Sequence, residues 1–168
     1  MPRSRALVGF ALLCALRCGA QGASAQERLA AASGPLEATL TADPLDVARV
    51  AARIGDDAVL AALVSDAPAR RLAAVRASTF LGAPEDALPA LVQLAAGRDP
   101  DLAPAAAAAL LDVAHALTPD GLARRESDAA ALAPARDAAR RLAADATARP
   151  DVRRAAALAA GALAALTS

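Results

Sequence analysis

Ile54-Gly55-Asp56-Asp57-Ala58-Val59-Leu60-Ala61-Ala62-Leu63 opens the stretch that decides the fold, which runs on to Val113. Asp66 follows, then Arg70-Arg71-Leu72-Ala73-Ala74-Val75, then Leu81-Gly82 and Glu85-Asp86-Ala87-Leu88-Pro89-Ala90-Leu91-Val92. Asp99-Pro100-Asp101-Leu102 then opens an alanine-rich run. Two amphipathic helices joined by an acidic turn, repeated, predict an all-α fold arranged as an α-solenoid.

Outward from this stretch, Asp43-Pro44 predicts a helix start, with Asp43 as N-cap and Pro44 at the first helical position. Val47, Val50, Ala51 and Ile54 mark its buried stripe, and Gly55 its end. The next helix starts at Asp56 or Asp57 and turns Val59, Leu60, Leu63 and Val64 inward. Asp66-Ala67-Pro68 turns the chain into a helix over 69–81, with Leu72, Val75 and Thr79 on one side. A third pair covers 85–96 and 101–117, with Pro89 and Pro104 tolerated in first turns. The acid pairs Asp56-Asp57 and Glu85-Asp86 sit at these predicted starts, where carboxylates cap free amides.

Asp66 and Asp99 are equivalent turns 33 residues apart, whereas Pro100-Asp101-Leu102 and Pro150-Asp151-Val152 are 50 apart. The excess is a polar insertion around 118–130, beginning with the turn signal Thr118-Pro119-Asp120-Gly121. A longer helix over 129–145 follows, then a last one over 151–166, packed through Val152, Ala155, Ala156, Ala159, Leu163 and Leu166. After Arg154 this last helix carries no charge, although a terminal repeat needs a polar outer face. Self-association is one answer to that.

The chain has 168 residues, 57% of them hydrophobic, with two Phe and no Trp or Tyr, so its core is built from Ala, Leu and Val. Residues 1–25 read as a signal peptide. Arg3 and Arg5 precede the apolar run Ala6 to Leu16, and Ala23-Ser24-Ala25 places cleavage before Gln26. That run is shorter than the ~20 residues of a membrane span. Cys14 and Cys18 both lie in this segment, so the mature chain has no thiol chemistry; Arg17 before Cys18 and two leucines before Cys14 argue against lipidation. All 18 basic residues are Arg; without Arg3, Arg5 and Arg17, 15 face 18 acids. A mildly acidic exported chain is a poor partner for nucleic acid. Residues 26–42 read as an N-terminal cap or partial repeat, broken at Ser33-Gly34-Pro35, and 43–168 as the repeat domain.

Ile54-Gly55-Asp56 with Ala58-Val59, Leu81-Gly82 with Ala87-Leu88-Pro89-Ala90-Leu91, and Asp151-Val152-Arg153-Arg154-Ala155-Ala156 resemble HEAT-like repeats of the short, phycobilisome-lyase-like kind. The resemblance covers about Asp43 to Leu166 and implies a right-handed solenoid of about four helical hairpins. It also implies pairing of a turn Asp with an Arg of the following helix: Asp66 with Arg70 or Arg71, Asp151 with Arg153 or Arg154. The third repeat has Ala103 and Pro104 where that Arg belongs. Lyase activity is not implied, because only the structural repeat matches.

Catalytic signals are sparse. His115, the sole histidine, shares a helix face with Asp112, but a zinc site needs three or four ligands. Ser65, Ser78 and Ser127 lack a nucleophile motif, and no glycine-rich phosphate loop is present. The reading is therefore a non-enzyme with no cofactor and no metal. In HEAT-like proteins the second helix of each pair lines the concave side. Those helices carry Arg49, Arg53, Arg70, Arg71, Arg76, Arg153 and Arg154, a candidate basic groove for an acidic peptide or anionic glycan. The same arginines could instead pair with turn aspartates and hold the repeats in register. The expectation is an exported scaffold that binds a protein or peptide, with a self-associating assembly subunit as the alternative.

Overall fold

The computed structural model describes residues 36–167, so the signal peptide, its cysteines and the helical start at 26–32 lie outside the described residues. The first long helix begins where the sequence places it. In α1 (Pro44–Ile54) the Asp43 backbone is extended, and its carboxylate accepts the Asp46 N–H at 3.0 Å. Pro44 costs nothing there, since a first-turn N–H has no helical partner. Gly55 then takes φ +85° and ψ 160°, and α2 (Asp56–Leu63) begins at the next residue. A Cβ at Gly55 would meet nothing within 4 Å, so glycine is required by the backbone angle and not by space.

Three helices differ in length from the sequence reading, and each difference has a local cause. α3 (Pro68–Ala77) gives way to a 3-10 turn at Ser78–Phe80. The buried Ser78 hydroxyl donates to the Val75 carbonyl at 2.7 Å, competing with the helical ladder. α4 (Leu88–Ala95) is preceded by a 3-10 turn at Pro84–Ala87, and α7 (Ala133–Ala144) by one at Ala129–Leu132. Pro89 and Pro134 each lack the N–H that would bond four residues back, so the α ladder cannot begin earlier.

α5 (Leu102–Ala116) starts behind a turn in which Asp99 Oδ1 accepts the N–H groups of Asp101 and Leu102, at 3.0 and 2.9 Å. The insertion, expected as a turn, makes a short helix instead, α6 (Pro119–Arg124). Thr118 caps it by accepting the Gly121 N–H at 3.1 Å. The last helix is α8 (Pro150–Leu166). All elements are helical; no strand occurs among the described residues. None of these helices is long and apolar enough to cross a membrane.

The helices pack in two series. α1 lies on α3, α3 on α5 and α5 on α8, while α2 pairs with α3, α4 with α5 and α7 with α8. α4 also meets α7, and α2 meets the 3-10 turn before α4. One continuous core of Leu, Val and many Ala joins them. Ala73, Ala74, Ala106, Ala107, Ala156 and Ala159 are wholly buried, and such small side chains let helix axes approach closely. Val47, Ala51, Val59, Leu63, Val75, Val152, Ala156, Ala159 and Leu163 face inward as their spacing predicts. Val64 does not: it is 71% exposed. α2 ends at Leu63, and the chain leaves helical geometry at Val64, so the periodicity no longer aims its side chain.

Candidate functional site

The seven arginines of the second helices do not form one group. Arg76 donates to three carbonyls near the N-terminal 3-10 turn Ala38–Thr41: Thr39 at 2.5 Å, Ala42 at 2.8 Å, and Leu40. Arg71 donates to the Ser65 carbonyl at 2.8 Å, just past the end of α2. Arg153 donates to the Ala143 carbonyl at 3.3 Å, at the end of α7. Arg71 and Arg153 each sit three residues after the proline that opens their helix, and each turns to a carbonyl near the end of the preceding helix. A helix C-terminus offers free carbonyls and the negative end of its dipole, which suits a guanidinium.

Of the other four, Arg49, Arg53 and Arg154 are exposed and Arg70 is half-buried. Arg70 Nε lies 3.5 Å from Glu37 Oε1, too far for a good hydrogen bond. Arg49 pairs with Asp46 one turn back, at 3.0 Å with both side chains largely exposed. Arg53 and Arg154 are exposed and form no ion pair among the described residues.

The turn-aspartate pairing implied by the resemblance takes a different form. Asp66 has no ion pair among the described residues, because Arg71 turns to the backbone carbonyl of Ser65. Asp151 pairs with Arg149, which offers two N–H groups at 3.1 and 3.0 Å, and Arg149 also reaches the Pro100 carbonyl at 3.2 Å. Asp99 is held below the usual carboxylate range by the amides of Leu102 and Asp101, with the Arg71 charge adding to it. Asp145 is lowered by Thr147, with a smaller contribution from Arg153.

One member of each acid pair, Asp56 and Glu85, acts at a distance and not as a cap of its own helix. Asp56 accepts the N–H groups of Gly82 and Ala83 at 2.9 and 3.3 Å, tying α2 to the loop after α3. Glu85 takes a two-pronged bond from Arg125, at 2.9 and 3.0 Å, and a 2.6 Å bond from the Ser127 hydroxyl. This clasp pins the insertion around 118–130. Burial pushes the Glu85 carboxyl up, but the bonds from Arg125 and Ser127 outweigh it and leave it below the usual value. Neither contact is visible in local spacing, since the partners lie 26 to 42 residues away.

Among the described residues, clefts open on the surface. Two lie beside the turns: one of about 380 Å³ around Val64, Arg71 and Arg98, and one of about 450 Å³ around Arg98, Asp145 and Arg149. The third, of about 420 Å³, lies on the series α1, α3 and α5, lined by Arg76, Phe80, Ala105, Ala108, Ala109 and Asp112. Phe80 is 40% exposed there and is the only aromatic residue among those described. Its isolation in an aromatic-poor sequence was a usable signal for this cleft. His115 is exposed, and among the described residues no three His, Cys, Asp or Glu stand together as metal ligands.

Comparison with protein-family models, with curated proteins and with solved structures finds no match.

Proposed function

We propose that the chain is an exported, right-handed solenoid of about four HEAT-like hairpins that binds a protein or peptide, acting as a scaffold without catalysis. The observation supporting this most directly is the third cleft. An exposed aromatic ring and an apolar floor sit on the series of second helices, where the repeat stacks α1, α3 and α5 side by side. A rigid stack of hairpins presents such a surface without rearrangement. Arg49 and Arg53 of α1 and Arg154 of α8 are exposed cations, whereas Arg71, Arg76 and Arg153 hold backbone carbonyls.

A crosslinking pull-down from an extracytoplasmic extract tests the reading, with the full chain beside an Arg49→Glu/Arg53→Glu/Arg154→Glu variant of equal helicity. Capture of a partner by the parent chain supports the scaffold. Loss of capture in the variant assigns the exposed arginines to the interface, and equal capture removes them from it. If nothing is captured by either, the scaffold reading falls.

The alternative is an assembly subunit that self-associates through α8. Leu158 is 53% exposed on the outer face of that helix, beside exposed Ala157 and Gly161 and beyond its last charge, Arg154. Light scattering over a concentration series, with Leu158→Arg as control, separates the two. A dimer lost in that variant supports assembly, and a monomer throughout rules it out.

A further inference from the structure

We infer that the cleft between α1, α3 and α5 takes a basic side chain, arginine or lysine, carried on an apolar peptide segment. The inference rests on the peptide-binding reading above and names the chemistry of its ligand. Two independent features of the cleft point to a cation. Phe80 presents a partly exposed ring, whose face attracts a guanidinium or ammonium group. Asp112 lines the same cleft, is exposed, and has no ion pair among the described residues. Arg76 also lines the cleft, but its guanidinium forms no ion pair with Asp112. Arg76 donates to the carbonyls of Thr39, Leu40 and Ala42.

The remaining walls explain why the segment should be apolar. Ala105, Ala108 and Ala109 form a floor without polar side chains, and their small size leaves the room that a guest fills. A volume of about 420 Å³ lies at the lower end of the usual range for ligand clefts, about 300–1,000 Å³. That is enough for a basic side chain and an apolar neighbour. An acidic side chain would meet Asp112 with like charge and the ring with the wrong end of its quadrupole, and would find only Arg76, whose donors already hold three carbonyls.

The phenylalanine count makes the test direct. The full chain has two Phe and one His, so its aromatic NMR spectrum carries three rings, and a Phe10→Leu chain assigns the signal of Phe80. The probe is a blocked pentapeptide with one arginine flanked by leucines, and the control has glutamate in place of the arginine. The arginine peptide should shift the Phe80 ring saturably, and the glutamate peptide should leave it in place. Asp112→Asn, on the surface and checked for unchanged helicity, should weaken binding about two- to five-fold, as loss of an exposed ion pair does; Asp112→Glu should retain most of it. Equal shifts with both peptides, no shift with either, or full affinity in Asp112→Asn would each overturn the inference. So would a Phe80 shift that follows protein concentration alone, which would make a second copy the occupant. A still Phe80 ring together with successful pull-down would leave the scaffold reading standing with its surface elsewhere.

Discussion

Glu126 has φ +56°, a left-handed conformation that a side chain bearing Cβ enters at a cost of about 1 kcal/mol. It sits where a helix C-terminus normally places glycine: Ser127 N–H bonds the Leu122 carbonyl at 3.0 Å, and Glu126 N–H bonds Ala123 at 3.1 Å. Its two neighbours, Arg125 and Ser127, are the residues held by Glu85. The clasp therefore maintains a strained cap. Glu126→Gly should stabilise the chain by about 0.5–1 kcal/mol in denaturant melts, an unusual sign for a substitution to glycine. Glu85→Gln should cost about 2 kcal/mol, the scale of hydrogen bonds to a charged group. Because the Glu85 pKa is lowered on folding, its stabilisation is complete above the unfolded-state value and fades as pH falls through the folded one. The stability gap between parent and Glu85→Gln should accordingly be present at neutral pH and close in strong acid. A gap that stayed constant down to the most acidic folded conditions would show that the charge of Glu85 is not what holds the insertion.

Among the elements, α3 is anchored through its arginines as much as through its apolar face. Arg76 closes the end of the N-terminal 3-10 turn against α3, and Arg71 closes the end of α2. Arg76→Ala removes three hydrogen bonds to carbonyls at once and should lower stability by about 2–3 kcal/mol in denaturant melts. Arg76→Lys should recover only part of this, since an ammonium cannot reproduce the planar fork. An Arg76→Ala chain as stable as the parent would leave the anchoring role without support.

For the molecule as a whole, α2 meets α3, α4 meets α5 and α7 meets α8, with further contacts between these pairs. In the proposed solenoid, stability is a sum of local and nearest-neighbour contributions, so damage at one end should stay at that end. Leu163 is fully buried at the interface of α8 with α5 and α7. Leu163→Ala, a loss of about 2–5 kcal/mol at a buried leucine, should speed amide exchange in α7 and α8 while α2 and α3 remain protected. Uniform loss of protection along the chain would instead describe a single cooperative globule.

The sequence by itself determined what depends on near neighbours. The 3.6-residue spacing of Val47, Ala51, Val59 and Leu63 places their buried faces. Asp43-Pro44 and Gly55 set the bounds of α1, because capping and backbone angles are decided within a few residues. The tertiary structure alone decided what the polar side chains do. Asp56 and Glu85 look like caps by position, yet bind groups 26 and 40 residues away. Arg71 turns to a backbone carbonyl, leaving the turn aspartate Asp66 without it, and Arg76 turns to the carbonyls of the N-terminal turn. The exposed pair of Phe80 and Asp112 comes together only when α5 lies on α3. A long flexible side chain can reach several partners at similar cost, and only packing fixes which of them is near.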